Sequence, residues 1–336
     1  MKKLAVLISP EIKSAYFHDY IEVAKEEVRL VLGQPILKHK SIGSMEFFDI
    51  ELKPEATPFL SRLSCFQGAF EYTASGYLSP IGLEDGLHLH ESIVFGSKFK
   101  GKTNERLSQM LLNIGMALTP QRHPKVLDPM CGRATTLLWA MRYGLRAKGI
   151  EQDPKALQDV LQICKKWKKV HNEKLSFKQG HLGKKQKSLE GSFLEIKSPD
   201  SHIKMITGDS QKCRYLLARE TFDIIASDLP YGIQHHTSPK TINPQKTLEA
   251  CIPSWSELLR PGGVMVLSYN LYQPKREVMV NLITACGLTQ IPLTAQHRMS
   301  ESIVRDIVVF QKQGPEEVGG QPLQDRRKSL DKLPTQ

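Results

Sequence analysis

The sequence predicts an α/β fold in which a mostly parallel sheet carries helices on both faces, with a small α+β module in front of it. From about residue 125 onward, short apolar runs alternate regularly with segments of helical periodicity. Such alternation is the signature of parallel strands joined by helices. The earlier part of the chain lacks this regularity, and 336 residues are enough for one large domain with an added module.

The N-terminal module, residues 1–95, opens with a strand and a helix. LAVLI at 4–8 is a short apolar run that predicts a buried strand, and apolar residues recur at helical spacing from Phe17 to Leu32. IGSMEFFDIEL at 42–52 predicts a strand or a hairpin. We expect an α+β module, for which RNA binding is a candidate role.

The alternating region predicts strands and helices in a regular order. A helix over LSQMLLNIGMAL (107–118) precedes a Pro-rich break. The predicted strands are KVLD (125–128), AKGIE (147–151), IKMITGD (203–209), FDIIASD (222–228) and GVMVLSY (263–269). The predicted helices between them are TTLLWAMRYG (135–144), residues 154–170 and LEACIPSWSELLR (248–260). In such folds the ligand lies beyond the carboxyl ends of the strands.

Two segments depart from this pattern. Residues 178–201 are basic and rich in turn-forming residues, which predicts a loop insertion or a hairpin. Residues 313–336 are polar and rich in Pro and Gly, which is typical of a disordered tail. The alternating domain is therefore expected to occupy residues 96–312.

Composition limits the classes of function. The formal net charge of +11 and the pI near 9.3 favour a polyanionic partner such as nucleic acid, although a basic balance can also serve solubility alone. No apolar run approaches the roughly 20 residues of a membrane span, and the apolar part of MKKLAVLISP is too short for a signal peptide. The six cysteines show neither metal-ligand nor disulfide spacing, so we expect no metal and a cytoplasmic location.

Three predicted strands end in an acid at the edge where a ligand would lie, namely Asp128, Glu151 and Asp209. An acid at the end of the second strand commonly accepts hydrogen bonds from a ribose diol. A dinucleotide is disfavoured, because a G-x-G-x-x-G pattern is absent and Arg133 follows Gly132. The set suits S-adenosylmethionine, a cation with an ammonium, a sulfonium, a ribose and an adenine. Asp209 could equally be only a helix cap.

The stretch SDLPYG at 227–232 is either an ordinary strand-ending turn or the working end of an enzyme. Asp228 can accept hydrogen bonds from an exocyclic amine and, in guanine, from the neighbouring ring N–H. The Leu229 carbonyl can accept the second amine hydrogen, with Pro230 fixing the turn that aims it. Tyr231 offers an aromatic face on which a base can stack. Because three acids precede it, we interpret the motif as a clamp for an accepting amine.

VLDPMCG, GIEQD, TGD, SDLPYG and LLRPGG, in that order, resemble the successive motifs of class I S-adenosylmethionine-dependent methyltransferases. Within that superfamily, DPMCG paired with DLPYG is similar to the THUMP-associated, UPF0020-type RNA methyltransferases, which modify the N2 amine of guanosine in tRNA. The resemblance covers residues 96–312. It implies a Rossmann-like, seven-stranded sheet ending in an antiparallel hairpin, which IPLTAQH (291–297) and RDIVVFQ (305–311) can form.

The resemblance also implies a cofactor, a substrate and residue roles. The cofactor would be S-adenosylmethionine, and the partner would be RNA, with tRNA expected. The cofactor-binding residues would be Asp128, Cys131 and Gly132 near its aminopropyl-carboxylate end, Glu151 at the ribose and Asp209 at the adenine. The catalytic residues at the target base would be Asp228, Leu229, Pro230 and Tyr231.

Two departures from the family pattern bear on these roles. Arg133 and Ala134 stand where the family has a small residue and a second glycine. Arg133 could therefore pair with the cofactor carboxylate or block the site. In addition, 95 N-terminal residues are short for the usual THUMP module with its ferredoxin-like linker, which indicates a reduced or different module.

Other interpretations stay open. Similar N/D-P-P-Y motifs serve adenine N6 in DNA or RNA and glutamine amides in proteins, and Asp in place of Asn only favours guanine. A chain with a degenerate Arg133–Ala134 loop could instead be a non-catalytic RNA-binding subunit. The basic residues best placed to meet phosphates are Lys184, Lys185 and Lys187 in the insertion and His235 and His236 after the motif.

Overall fold

The structure is a computed structural model that describes residues 2–53, 56–84, 86–96, 99, 102–183, 190–230, 243–300 and 303–314. Its strands form two sheets. A five-stranded antiparallel sheet lies in the N-terminal region, and a larger mixed sheet carries the rest of the chain. The Tyr231 of the predicted clamp and the predicted phosphate contacts at Lys184, Lys185, Lys187, His235 and His236 lie outside the described residues.

The N-terminal sheet has the strand order β2-β3-β1-β4-β5, and two α-helices lie between β1 and β2 in the chain. Its strands are β1 (Lys2–Ile8), β2 (Ile36–Ile42), β3 (Met45–Leu52), β4 (Phe66–Tyr72) and β5 (Leu78–Ile81). The helices of this region are α1 (Lys13–Tyr16), α2 (Tyr20–Leu32), α3 (Thr57–Leu60) and α4 (Ser92–Phe95). Of the strand or hairpin predicted over 42–52, the structure has the strand β3, which pairs with the preceding β2 as a hairpin. α2 ends at Gly33, whose φ of 65° requires a residue that tolerates the left-handed region.

The larger sheet has the order β13-β15-β12-β11-β6-β7-β10-β9-β8, with β14 paired to β15. Its strands are β6 (Lys125–Asp128), β7 (Arg146–Glu151), β8 (Ser176–His181), β9 (Ser192–Lys197), β10 (His202–Thr207), β11 (Phe222–Asp228), β12 (Leu259–Asn270), β13 (Leu288–Ile291), β14 (His297–Ser300) and β15 (Ile303–Lys312). The five central strands run parallel, as the alternation predicts. The prediction of seven strands was wrong, since the described sheet has ten.

Two local features account for the difference in strand number. The basic insertion forms the antiparallel hairpin β8–β9, which extends the sheet beyond β10. The predicted strand over 291–297 is instead interrupted, because β13 ends at Ile291 and β14 begins at His297. Both of these strands pair with β15. Pro292 follows β13 directly, and proline has no N–H to donate to a sheet.

Helices cover both faces of the parallel strands. The helices of this region are α5 (Glu105–Leu118), α6 (Thr135–Arg142), α7 (Lys155–His171), α8 (Cys213–Leu216), α9 (Pro244–Leu258) and α10 (Arg276–Thr284). Buried residues of α5, α6 and α7 share one cluster, and those of α9 and α10 share the other. None of the helices in the described part of the chain combines the length and apolar character that a bilayer crossing requires.

The N-terminal sheet is joined to the larger sheet through α2 and α5. One cluster of buried apolar side chains contains residues of both regions. At its centre the buried Glu27 of α2 accepts hydrogen bonds from the Ser64 amide at 2.9 Å, the Ser64 hydroxyl at 2.5 Å and the Asn113 amide of α5 at 2.7 Å. Burial raises the pKa of Glu27, and these donors oppose the shift. The N-terminal region therefore packs on the helical layer beside α5.

Candidate active site

The carboxyl ends of β10, β7, β6 and β11 lie side by side at one edge of the larger sheet. Thr207 of β10 pairs with Glu151, and Asp128 pairs with Gly149 of the same strand β7. On the other side of β6, Leu127 pairs with Ile225 of β11. Because neighbouring parallel strands end at the same edge, the sequence-predicted acids Asp128, Glu151, Asp209 and Asp228 are brought to it together.

Asp128 is a buried carboxyl group at the end of β6. Its Oδ1 accepts hydrogen bonds from the Ser227 hydroxyl at 2.7 Å and the Met130 amide at 3.1 Å. Burial raises the pKa of Asp128 to about 6, and the neighbouring Asp228 adds to this, while the hydrogen bonds oppose it. A cationic ligand at this carboxyl group would favour its ionised form.

The loop after Asp128 is tied to the end of β7. The Gly132 amide donates to Glu151 Oε2 at 2.9 Å, and the Asp153 amide donates to Oε1 of the same carboxylate at 2.8 Å. Cys131 is buried, and burial raises the pKa of its thiol well above the usual value, so it stays neutral. A Cβ at Gly149 would lie 2.6 Å from the Cys131 sulfur, so this close approach of loop and strand requires glycine.

The departures Arg133 and Ala134 have defined places in this loop. The Arg133 guanidinium lies 2.9 Å from Asp153 Oδ2 and 3.0 Å from Asp159 Oδ2, so both of its partners belong to the start of α7 and the turn before it. Ala134 has a φ of 64° and precedes α6. A glycine would tolerate this left-handed conformation without strain, which explains why alanine is unusual here.

Asp209 follows β10 and caps the short turn after it. Its Oδ1 accepts from the Gln211 amide at 2.9 Å, so the capping role that the sequence left open is realised. The Gly208 amide donates to the Glu151 carbonyl at 2.9 Å, which fixes the end of β10 against β7. Asp209 therefore lies on the same edge as Glu151, half-buried at the start of a turn.

Asp228 ends β11 with its side chain only 5% exposed. The Arg305 guanidinium of β15 lies 3.5 Å from Asp228 Oδ2, and that side chain is 7% exposed. The next residue, Leu229, is buried and donates its amide to the Ser268 carbonyl at 2.8 Å, while Pro230 is exposed. The described part of the predicted clamp is thus a buried carboxylate followed by a backbone turn at the surface.

Two contacts of this site were missed by sequence reasoning. Ser227 is a fully buried hydroxyl in an apolar strand, and such a residue in the printed sequence could have indicated a buried polar partner. Arg305 reaches Asp228 from 77 residues away, across β12, and only the strand order brings the two together.

The fit of S-adenosylmethionine to this edge can be judged from the residues present. Gly132 has a φ of 51°, and in the described part of the chain no atom lies within 4 Å of where its Cβ would be, so the loop faces open space. The carboxylates offer acceptors for an ammonium, a diol and an amine. Among the described residues, no group of three or more His, Cys, Asp or Glu side chains could hold a metal ion.

Comparison with known proteins gives a family match and similar structures. The sequence model of the UPF0020 family, described as RMKL-like, methyltransferase domain, matches residues 98–280, which is more than half of the chain. No curated protein matches.

Three solved structures illustrate the structural similarity. TrmN from Thermus thermophilus is 14% identical, with 80% of this chain and 57% of that chain covered and a TM-score of 0.41. The T. thermophilus 16S rRNA N2 G1207 methyltransferase RsmC, in complex with AdoMet and guanosine, is 17% identical, with coverages of 88% and 62% and a TM-score of 0.38. A TehB-like SAM-dependent methyltransferase from Corynebacterium glutamicum is 14% identical, with coverages of 57% and 82% and a TM-score of 0.36.

Proposed function

Because the chain belongs to the UPF0020 family of RMKL-like methyltransferase domains, it is an S-adenosylmethionine-dependent methyltransferase, and we propose that it methylates N2 of guanosine in RNA, specifically in tRNA. The observation that carries the proposal is the buried Asp228, held by Arg305 at the strand edge beside Asp128. The division into a methyltransferase domain at 96–312 and an RNA-binding module at 1–95 is part of the proposal. A THUMP association stays a prediction.

The cofactor would be held along the strand edge. Asp128 would accept from its ammonium, the Cys131–Gly132 turn would line its aminopropyl-carboxylate end, Glu151 would accept from the ribose diol, and Asp209 would accept from the adenine amine. When bound, S-adenosylmethionine supplies a methyl group carried on a sulfonium. Arg133 forms ion pairs with Asp153 and Asp159. Because its guanidinium is engaged by these acids of the protein, the pairing supports the proposed position of the cofactor.

The residues at 228–230 would orient the accepting amine. The lone pair of an aromatic amine is delocalised into its ring, so the nitrogen must be held with its hydrogens engaged and its lone pair turned outward. Asp228 would accept from the N2 amine and the N1–H of guanine, and the Leu229 carbonyl would accept the second amine hydrogen. The hydrogen bond that the Leu229 amide donates to the Ser268 carbonyl fixes the orientation of the peptide at this turn. Asp228 would also take the proton that the amine loses.

Positioning supplies most of the rate in such a transfer. Groups held in the reacting geometry gain about 7–11 kcal/mol relative to free reactants. Arg305 would serve as a positioning residue, since its guanidinium fixes the Asp228 carboxylate from the far side of β12. The base must leave its stack or come from a loop to reach the buried carboxylate.

The test is methyl transfer from labelled S-adenosylmethionine to unmodified tRNA, with nucleosides identified by mass spectrometry. The expected product is N2-methylguanosine. Label in N6-methyladenosine, or transfer to glutamine when a protein fraction replaces the tRNA, would assign the same fold a different substrate. Calorimetry that finds no binding of S-adenosylmethionine would exclude the enzyme assignment itself.

Matched variants separate the two halves of the site. Asp228→Ala should abolish transfer and leave the affinity for S-adenosylmethionine within about threefold of wild type. Glu151→Ala should weaken that affinity, because it removes the acceptor proposed for the ribose. Parallel loss of transfer and of cofactor binding in Asp228→Ala would show that Asp228 is only structural. Circular dichroism confirms that each variant is folded.

A further inference from the structure

The N-terminal sheet has two faces of different character. Leu4 and Val6 of β1 and Phe48 and Ile50 of β3 belong to the apolar core shared with α2. Strand residues alternate between faces, so the residues next to them in sequence point to the other side. That second face, called the open face below, is defined by Lys3, Lys38, Lys40, Phe47, Phe70 and Tyr72, whose strand pairings place them side by side.

Aromatic rings occupy the centre of the open face. Phe47 and Phe70 contact each other edge to face with their ring centroids 6.0 Å apart. Phe47 is buried, whereas Phe70 and Tyr72 are only half-buried. The Tyr72 hydroxyl donates to Asp49 Oδ1 at 2.5 Å, so this ring is held in place. Two rings two residues apart on one strand are therefore fixed and partly accessible, about 7 Å from each other.

Lysines surround these rings. The Lys40 ammonium lies 4.6 Å and the Lys3 ammonium 5.5 Å from the centroid of the Tyr72 ring. Lys40 also pairs with the buried Asp49 at 3.0 Å, which balances the charge of that carboxylate. Lys3 and Lys38 are exposed and form no ion pair within the described part of the chain. Glu51 lies opposite Lys3 on the same face, so the lysines leave a net positive charge next to aromatic surface.

This combination fits single-stranded nucleic acid. Bases stack on aromatic side chains carried by a sheet, while ammonium groups contact the phosphates, and such binding requires bases that are not already paired. The chain's net charge of +11 adds general attraction for a polyanion. A two-fold contact between copies would bring two faces of the same positive charge together, which disfavours the open face as a dimer interface.

We propose that the open face binds a single-stranded segment of the substrate RNA, with Phe70 and Tyr72 stacking on bases and Lys3 and Lys38 contacting phosphates. This inference rests on the proposed function in that the bound RNA is the one to be methylated. It assigns the N-terminal sheet the role of a platform that holds an unpaired region while another nucleotide reaches Asp228.

The experiment measures binding of the full-length chain to a fluorescent single-stranded RNA of about 12 nucleotides and to a duplex of the same length. Phe70→Ala should weaken single-strand binding roughly 5- to 150-fold, the range expected for one stacked base, while Phe70→Tyr should keep most of it. The matched control Phe59→Ala removes an exposed ring of α3, outside the open face, and should change nothing.

Charge gives a second, independent measure. Removing Lys3 and Lys38 together should make the slope of log affinity against log salt less negative by about 1.4, as the loss of two phosphate contacts to a single strand predicts. Lys25→Ala, on α2 behind the other face of the sheet, should leave the slope unchanged. Circular dichroism and thermal unfolding show whether each variant is folded, and Phe70→Tyr covers the case in which Phe70→Ala unfolds.

Each other outcome overturns the inference. Single-strand binding by the open-face variants that equals that of wild type, or a loss confined to the duplex, excludes a single-strand platform. A wild-type dimer that becomes monomeric in Phe70→Ala, measured by light scattering, assigns the face to self-association instead. Binding is measured without cofactor, so a wild type that binds RNA through this face but transfers no methyl group to RNA contradicts the proposed function alone.

Discussion

Replacement of Asp128 by asparagine is expected to stabilise the cofactor-free protein, and to do so more strongly at higher pH. Burial raises the pKa of this carboxyl from 3.8 to about 6. A carboxyl group with a raised pKa binds a proton more tightly in the folded state than in the unfolded state. Its contribution to the free energy of unfolding is therefore most favourable below about pH 3.8 and is lost as pH rises through about 6. Keeping Asp128 ionised in the folded protein at high pH costs about 3 kcal/mol of stability, and about half of this cost is present at pH 5.

The amide in the Asp128→Asn variant carries no charge and keeps an oxygen that can accept from Ser227 and from the Met130 amide. The free energy of unfolding of the Asp128→Asn variant, relative to wild type, should therefore rise by about 1.4 kcal/mol between about pH 5 and about pH 8. Urea denaturation across that range, followed by circular dichroism, measures the difference. If the stability difference between Asp128→Asn and wild type stays constant or shrinks with rising pH, the reasoning is refuted.

A control for this substitution is available in the same sheet. Asp223 is also buried, but it pairs with the Arg260 guanidinium at 3.0 Å and accepts from the Lys125 amide at 2.8 Å. Asp223→Asn removes the charge that the arginine requires and should lower stability across the same pH range. The comparison thus sets Asp128, for which we propose a cationic ligand, against Asp223, whose cationic partner is part of the protein.

Three further predictions follow from the same contacts. The affinity for S-adenosylmethionine should fall about tenfold from about pH 7 to about pH 5, because Asp128 gains a proton with a pKa of about 6; calorimetry that finds no change would exclude Asp128 as the ammonium acceptor. Arg133→Ala should leave that affinity within about threefold, since its guanidinium is held by Asp153 and Asp159, whereas a loss of tenfold or more would place it on the cofactor. Glu27→Ala should cost about 2–4 kcal/mol in urea denaturation, because it removes the acceptor of the Ser64 amide and hydroxyl and one acceptor of the Asn113 amide, and a change below about 0.5 kcal/mol would contradict this.

The sequence was sufficient to predict those residues of the candidate site whose position follows from the end of a single strand. Asp128, Glu151 and Asp228 each end a buried apolar run, and parallel strand order alone places such ends together. The Arg305–Asp228 contact could not be predicted in this way, because it depends on β15 lying beside β12. The interruption at Pro292 was readable from the residue itself, since proline has no N–H to donate to a neighbouring strand.

Adjacent residues of β11 connect the proposed cofactor half and the proposed substrate half of the edge. Ser227 donates to Asp128, and the next residue, Asp228, contacts Arg305, so one strand end holds both carboxyl groups. The charge of Asp228 contributes to the raised pKa of Asp128, which means that each charge opposes the other. Arg305 lies beside Asp228, whereas the donors to Asp128 among the described residues are neutral. Binding of a cationic cofactor at Asp128 would therefore place a positive charge beside two neighbouring carboxyl groups, which would favour the ionised form of Asp128.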